Sequence, residues 1–427
     1  MPRLERTAYL QNFRREGQCL VMRDCRSEGC VVYFMAIDPP QDTVPAQQDP
    51  SKFPVLLYRD SPATLLLSGQ LAYDPFGKHV VFEPVSPRCS PTHHTEKGFI
   101  IVGRPSGFHH HVIDDLMASM VRKSLVEFDS QKEDCSGYRS ITDPWTTWTR
   151  SLPAKASSPQ NEDGSRSFVD VGYVHFTSCT PDGEPVPILV LAGSSGLGTV
   201  GCAAFVLLPV ETLPREGMPD KVASLTVLLE IHKETRRGEI QYLTHTLKFK
   251  VLRVYVVDAK GREHCWVGVD EPALFSVDAK PPKLVRHSRV KATYAWEEGT
   301  PVPPDKIKDI FIDGRRMTEM SHPIKRNSDA ALLLIEMARA SQKHQRGFTA
   351  KELGTNALGA FARHVTANLQ DIWSRAMNDL LDFLAQNRIF CDASESVPRE
   401  HRFPSASLEE DWEDADPADS AGLTGPG

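Results

Sequence analysis

Three glycines and three hydroxyl side chains stand together in "AGSSGLGT": Gly193, Ser194, Ser195, Gly196, Gly198 and Thr199. Glycines let a backbone approach an anion closely. A helix that begins at such a turn offers free N–H groups and the positive end of its dipole. The chemistry these residue types suit is the cradling of a phosphate. A second turn of similar kind, "IIVGRPSG", carries Gly103, Arg104 and Ser106, with His109 just beyond. Arg104 suits a phosphate because its guanidinium is planar and always charged. His109 titrates near neutrality and could act as acid, base or anion donor. These ten residues are the expected ligand-binding set, for a phosphorylated or nucleotide-like small molecule.

Other constellations are weaker. His93, His94, His109, His110 and His111 cluster near Cys89, but adjacent histidines do not converge on one metal as helical i, i+4 pairs do, so no metal site is expected. Asp114 and Asp115 fall where they would complement a helix dipole. Asp170 and His175 are an odd number of residues apart on one strand and so point to opposite faces. Neither Ser194 nor Ser195 sits at the centre of Gly-x-Ser-x-Gly, so a nucleophile elbow is not indicated. No catalytic residue or cofactor is assigned.

The element that must carry the first turn runs from Pro187 to Pro209 without a charge. A membrane span needs roughly 20 predominantly apolar residues, and this stretch has the length. Its central glycines and serines, and flanks of Glu184 and Glu211 without a Lys/Arg bias, speak against one. A buried strand, a Gly turn and a close-packed helix are expected instead. "AGSSGLG" is similar to the dinucleotide loop of short-chain dehydrogenases, Gly-x-x-x-Gly-x-Gly. Here the spacing is one residue shorter, no Tyr-x-x-x-Lys follows, and the next element is a meander. The likeness therefore carries over no oxidoreductase activity.

Around these turns the chain reads as α/β. Residues 1–129 form the first half of a core, with a strand, a helix opening at Ser61-Pro62, more strands, and a helix over "FHHHVIDDLMASMVRKSLVEF". Residues 130–167 are a polar insertion loop. Residues 168–279 are the second half, ending in an antiparallel meander whose Leu243, Leu247, Phe249 and Val251 line one side. Residues 280–327 read as a linker, with the basic run Lys280, Lys283, Arg286, Arg289 and Lys291. Residues 328–403 are a helical module of winged-helix type, with a Thr349/Glu352 capping box and an amphipathic last helix. Residues 404–427 are an acidic tail expected to be disordered. The expected fold is a Rossmann-like, partly parallel sheet with an antiparallel β-meander and a C-terminal helical module.

"IIVGRPSG", followed by "ILVLAGSSGLGT" and the meander, resembles the core of some uncharacterised bacterial α/β domains over residues 53–257. That resemblance implies a fold and no activity.

Composition is that of an ordinary globular protein: 427 residues, 40% hydrophobic, 25% charged. Net charge is −7, all of it from seven acids after Pro404; the rest has 49 bases and 49 acids. Bulk charge thus gives no argument for nucleic acid. Nine cysteines without a CxxC pair read as reduced thiols, and the polar N-terminus lacks an apolar signal core, so the expected location is cytoplasmic. The functional expectation is a ligand-sensing protein in signalling, coupled to a protein partner through its C-terminal helices and without a membrane. Two alternatives are an enzyme hydrolysing or transferring on a nucleotide-like ligand, and a DNA-binding transcriptional regulator using residues 328–403.

Overall fold

A computed structural model describes residues 30–37, 55–56, 61–73, 80–86, 98–105, 108, 110–122, 124, 127–129, 138–143, 148–153, 166–181, 183, 185–207, 219, 222–235, 247–269, 271–275, 282–295, 304–343, 347–357, 369–387, 389, 391–394 and 398–412. The fold is mixed α/β, and the chain divides into two compact units, 1–284 and 285–427.

The first unit is built on a mixed sheet. β1 (Cys30–Ile37) pairs in parallel with β3 (Val80–Val85) on one side and β4 (Gly98–Val102) on the other. The short β2 (Val55–Leu56) pairs antiparallel with the end of β1. Three further strands precede the next member of the sheet. β5 (Glu127–Asp129), β6 (Tyr138–Asp143) and β7 (Trp148–Pro153) form an antiparallel sheet of their own. β8 (Arg166–Cys179) and β9 (Val186–Gly193) then join the main sheet, β9 parallel to β4 and antiparallel to β8. β10 (Val222–Thr235), β11 (Leu247–Asp258) and β12 (Glu263–Gly268) extend it as an antiparallel meander, and β13 (Ala273–Leu274) pairs with β11.

Both faces of the parallel part are covered. Val32, Phe34, Ile100, Val102, Leu189 and Leu191 face α1 (Ser61–Tyr73) and α3 (Gly196–Val206). Their neighbours Val31, Tyr33, Phe99, Ile101, Ile188 and Val190 face α2 (His111–Ala118). Burial on two faces is why these strands read as unbroken apolar runs rather than alternating ones. α3 is buried almost all round, which accounts for its lack of charge. No helix among the described residues is long and apolar enough to cross a membrane.

The second unit packs α4 (Asp329–Lys343), α5 (Ala350–Ala357) and α6 (Leu369–Gln386) with strands. β14 (Leu284–Tyr294) and β15 (Ile307–Ile312) are antiparallel, and β15 turns into β16 (Arg315–Arg316). Asp313 and Gly314 make that turn with φ of 51° and 75°, the positive values a two-residue hairpin loop needs. β17 (Phe348–Thr349), β18 (Asp392–Ala393) and β19 (Glu400–Arg402) form a small antiparallel sheet, and β20 (Ser405–Trp412) lies parallel to β14. The capping box forms: the Thr349 N–H donates to the Glu352 carboxylate at 2.9 Å and the Glu352 N–H to the Thr349 hydroxyl at 3.2 Å.

Four expectations are corrected. The helix after the second Gly turn ends at Ala118 rather than running to Phe128. The chain leaves it to pair with the end of β8, through Val121 N–H to Ser178 O at 2.8 Å and Thr180 N–H to Ser119 O at 3.1 Å. The stretch 130–167 is not all loop, because Tyr-, Thr-, Ile- and Trp-containing segments supply β6 and β7. The stretch 280–327 is not a linker, since β14 to β16 lie in it. The tail is not unstructured throughout, for residues 405–412 are β20; residues 413–427 lie outside the described residues.

The last two corrections share one cause. The cations of β14 meet the anions of β20: Lys291 Nζ lies 2.9 Å from Glu409 and also pairs with Asp411, and Arg289 pairs with Glu409. Deeper, Glu410 accepts hydrogen bonds from Tyr294 Oη at 2.8 Å and Arg339 at 2.6 Å, and Arg339 also pairs with Glu336. Arg339 thus supplies the charge that offsets two carboxylates. Arg339→Ala would leave Glu336 and Glu410 facing each other. It should lower the stability of this unit by about 2–3 kcal/mol in urea titration.

Candidate functional site

The first Gly turn owes its position to strand register. Gly172 of β8 stands opposite Gly193, the last residue of β9. Asp170 therefore projects just past the end of β9, beneath the start of α3. It is only 1% exposed.

Its carboxylate collects the turn. One oxygen accepts from Gly198 N–H at 2.7 Å, Ser195 N–H at 3.1 Å and the Ser195 hydroxyl. The other accepts from the Ser194 hydroxyl and Val171 N–H at 2.8 Å. Ser195 occupies the N-cap position of α3, but its side chain caps nothing in the helix and goes to Asp170 instead. The Thr199 hydroxyl donates to Ser195 O at 3.3 Å. An internal carboxylate thus stands where a phosphate was expected, and for the same reason: free amides and the positive end of a helix dipole.

The glycines serve close approach. A Cβ on Gly193 would come 2.2 Å from Thr199 N, and one on Gly198 would come 2.5 Å from Val171 O. Helix and strand backbones meet where any side chain would separate them. Cys202 lies one helical turn on, donating to Tyr173 O at 3.4 Å. Burial, and then the Asp170 charge, push its thiol well above the usual range, so it behaves as a small apolar residue.

The second turn emerges beside the first. β4 and β9 are parallel neighbours with Val102 opposite Leu191, and Gly103 N–H continues the pairing to Leu191 O at 2.9 Å. Gly103 has φ of 116°, which favours glycine. The structure therefore brings Gly103 and Arg104 to the same sheet end as Gly193, Ser194, Ser195, Gly196, Gly198 and Thr199. The helices that follow lie on opposite faces. Arg104 is half-buried. Ser106 and His109 lie outside the described residues, as do His93, His94 and Cys89.

The neighbouring histidine has a structural role. His110 Nδ1 accepts from Val112 N–H at 3.3 Å, capping α2, and its ring stacks on His111 at 4.4 Å. Burial, followed by the proximity of His111, lowers its pKa. Asp114 falls in the first turn of α2, on the favourable side of its dipole. Among the described residues no three His, Cys, Asp or Glu side chains group as metal ligands.

His175 is the residue that sequence reasoning undervalued. It faces away from Asp170 into the α2 side of the sheet. Nε2 lies 3.0 Å from Arg122 O and Nδ1 2.8 Å from Thr226 Oγ1. The carbonyl can only accept, so Nε2 carries the hydrogen and Nδ1 accepts from Thr226. Burial pushes its pKa down to about 4.

Two expectations follow. Asp170→Ala would leave two hydroxyls and three N–H groups without their acceptor. It should cost about 3–5 kcal/mol in urea unfolding, and Asp170→Asn less, since the amide oxygen still accepts. The His175 pKa is lower folded than unfolded, so its neutral ring supports the fold above pH 6.5. That support is lost as pH falls from 6.5 towards 4, by about 3 kcal/mol in all. His175→Gln should flatten this part of the stability–pH curve.

No protein-family model matches the chain, and the searches of curated proteins and of solved structures returned no match.

Proposed function

We propose that this is a binding protein whose second unit engages a protein partner. The observation that carries this reading is the exposed face of α6. Arg375 and Asn378 are exposed there, but Asp371, Asp379 and Asp382 outnumber them. The order α4, β17, α5, α6, β18, β19, with sheet order β17-β19-β18, supports a winged-helix reading of this unit, in which α6 would be the reading helix. A helix that reads DNA brings Lys, Arg, Asn or Gln to the groove. Three carboxylates would instead repel the phosphates, which favours a protein surface.

A small-molecule reading keeps one supporting observation. β4 and β9 are adjacent and parallel, with their helices on opposite faces. That is the arrangement of the ligand crevice in Rossmann-like sheets. Asp170 already holds the Ser195 and Gly198 amides, so a nucleotide-like ligand would meet the Gly103–Arg104 side. The cytoplasmic placement is supported by Cys179 and Cys202 being thiols rather than halves of a disulfide.

The test uses the full chain. In a mobility-shift assay at low salt, duplex DNA should not be retarded. A salt-sensitive shift lost in Arg375→Glu would favour the regulator instead. A nucleotide that saturates the crevice a hundredfold over its Kd should add about 2.7 kcal/mol and raise the melting temperature. A flat melting temperature across a nucleotide panel would remove the small-molecule reading.

A further inference from the structure

We propose that the groove between residues 322–330 and α6 receives a basic amphipathic helix of the partner protein. This rests on the partner-binding reading above and adds the partner's chemistry. The groove encloses about 640 Å³, within the range of built binding clefts.

Its composition selects the occupant. The apolar residues of its lining are Ile324, Ala330, Ile372, Ala376 and Phe383, of which Ala330, Ala376 and Phe383 are buried. Ile324 and Ile372 are half-buried, so their side chains are still available to an incoming apolar residue. Trp373, Met377, Leu380 and Leu384 of α6 are spent in the core, together with Ala376 and Phe383. One wall is α6 itself, from Ile372 to Gln386, a helical run of about 21 Å at 1.5 Å per residue. A wall of that length suits a second helix lying along it, the helix-in-groove mode of recognition.

Charge fixes the sign. Asp379 and Asp382 are exposed on the rim, and neither has a hydrogen-bonded or ionic partner among the described residues. They lie C-terminal to Arg375, so that half of the groove is acidic. Being three residues apart, they stack one turn above the other on the same helix face. A partner helix meets both with Lys or Arg at i and i+3 or i+4, flanking an apolar stripe. Lys325 and Arg375 leave the rim less acidic at their own positions, which sets the direction in which that helix would lie.

The experiment uses the full chain and two labelled 18-residue helices followed by fluorescence anisotropy. One places Leu at i, i+3, i+4 and i+7 spacing and Lys between, and the other carries Glu at every Lys position. The Lys peptide should bind at least about tenfold more tightly than the Glu peptide. The preference should shrink with added salt. Asp379→Lys with Asp382→Lys should reverse it. Asp115→Lys, which changes an exposed acid on α2, should leave it intact. Both groove acids are exposed, so melting curves should match wild type. If they do not, the milder Asp379→Asn with Asp382→Asn replaces the reversal and should abolish the preference.

Equal binding of the two peptides, or an unchanged preference in the double variant, would overturn the proposal. A dimer that the double variant dissolves would also overturn it, in favour of a second copy as occupant. Failure of the underlying reading looks different, because it appears as salt-sensitive DNA retardation. Loss of peptide preference without DNA binding would sink only the groove.

Discussion

The first unit turns on a buried negative charge placed under the start of a buried helix. Asp170 ties β8 to the turn after β9 and to the first turn of α3. The helix is apolar on nearly every side and supplies no acid to its own N-terminus. Its unpaired amides would otherwise face a low-dielectric interior, where a missing hydrogen bond is costly. A carboxylate from the neighbouring strand meets that need. It also orders Ser194 and Ser195, which point inward to it rather than toward solvent.

The same constraint explains the glycines. For Asp170 to reach Ser195 and Gly198, α3 must lie almost against β8 and β9. Gly172 would bring a Cβ within 2.4 Å of Cys202 Sγ, and Gly201 within 2.4 Å of Ile231. Small residues on both partners let a long apolar run fold back as a strand and a helix. On the other face, His175 does a comparable task with a neutral ring, joining β8 to β10 and to the segment after α2. Its two hydrogen bonds satisfy a polar group in an apolar layer without a buried charge.

In the second unit the ordering interaction is charge pairing between segments far apart in sequence. β20 adds to β14 in parallel, with Lys291 opposite Glu409 and Thr293 opposite Asp411. Tyr294 stacks on Trp412 at 4.5 Å between ring centroids and donates to Glu410. The acids that dominate the net charge of the chain are thus partly used up at home. On α6, by contrast, Asp379 and Asp382 stay exposed.

Much of the local structure was legible in the sequence. Val186–Gly193 and the run after Gly196 announced a buried strand and helix by lacking charge. Thr349 and Glu352 announced a cap, and the odd spacing of Asp170 and His175 announced opposite faces. The Asp313-Gly314 pair between Ile312 and Arg315 was an available hairpin signal, hidden by reading the basic segment around it as a linker. Local periodicity, capping and turn chemistry are properties of neighbouring residues, so the sequence determines them alone. What only the tertiary structure decided were the meetings of distant residues. Asp170 with Gly198, and Lys291 with Glu409, depend on strand register across the sheet. No local pattern encodes which anion will fill a helix terminus when a ligand and the protein's own carboxylate satisfy the same amides.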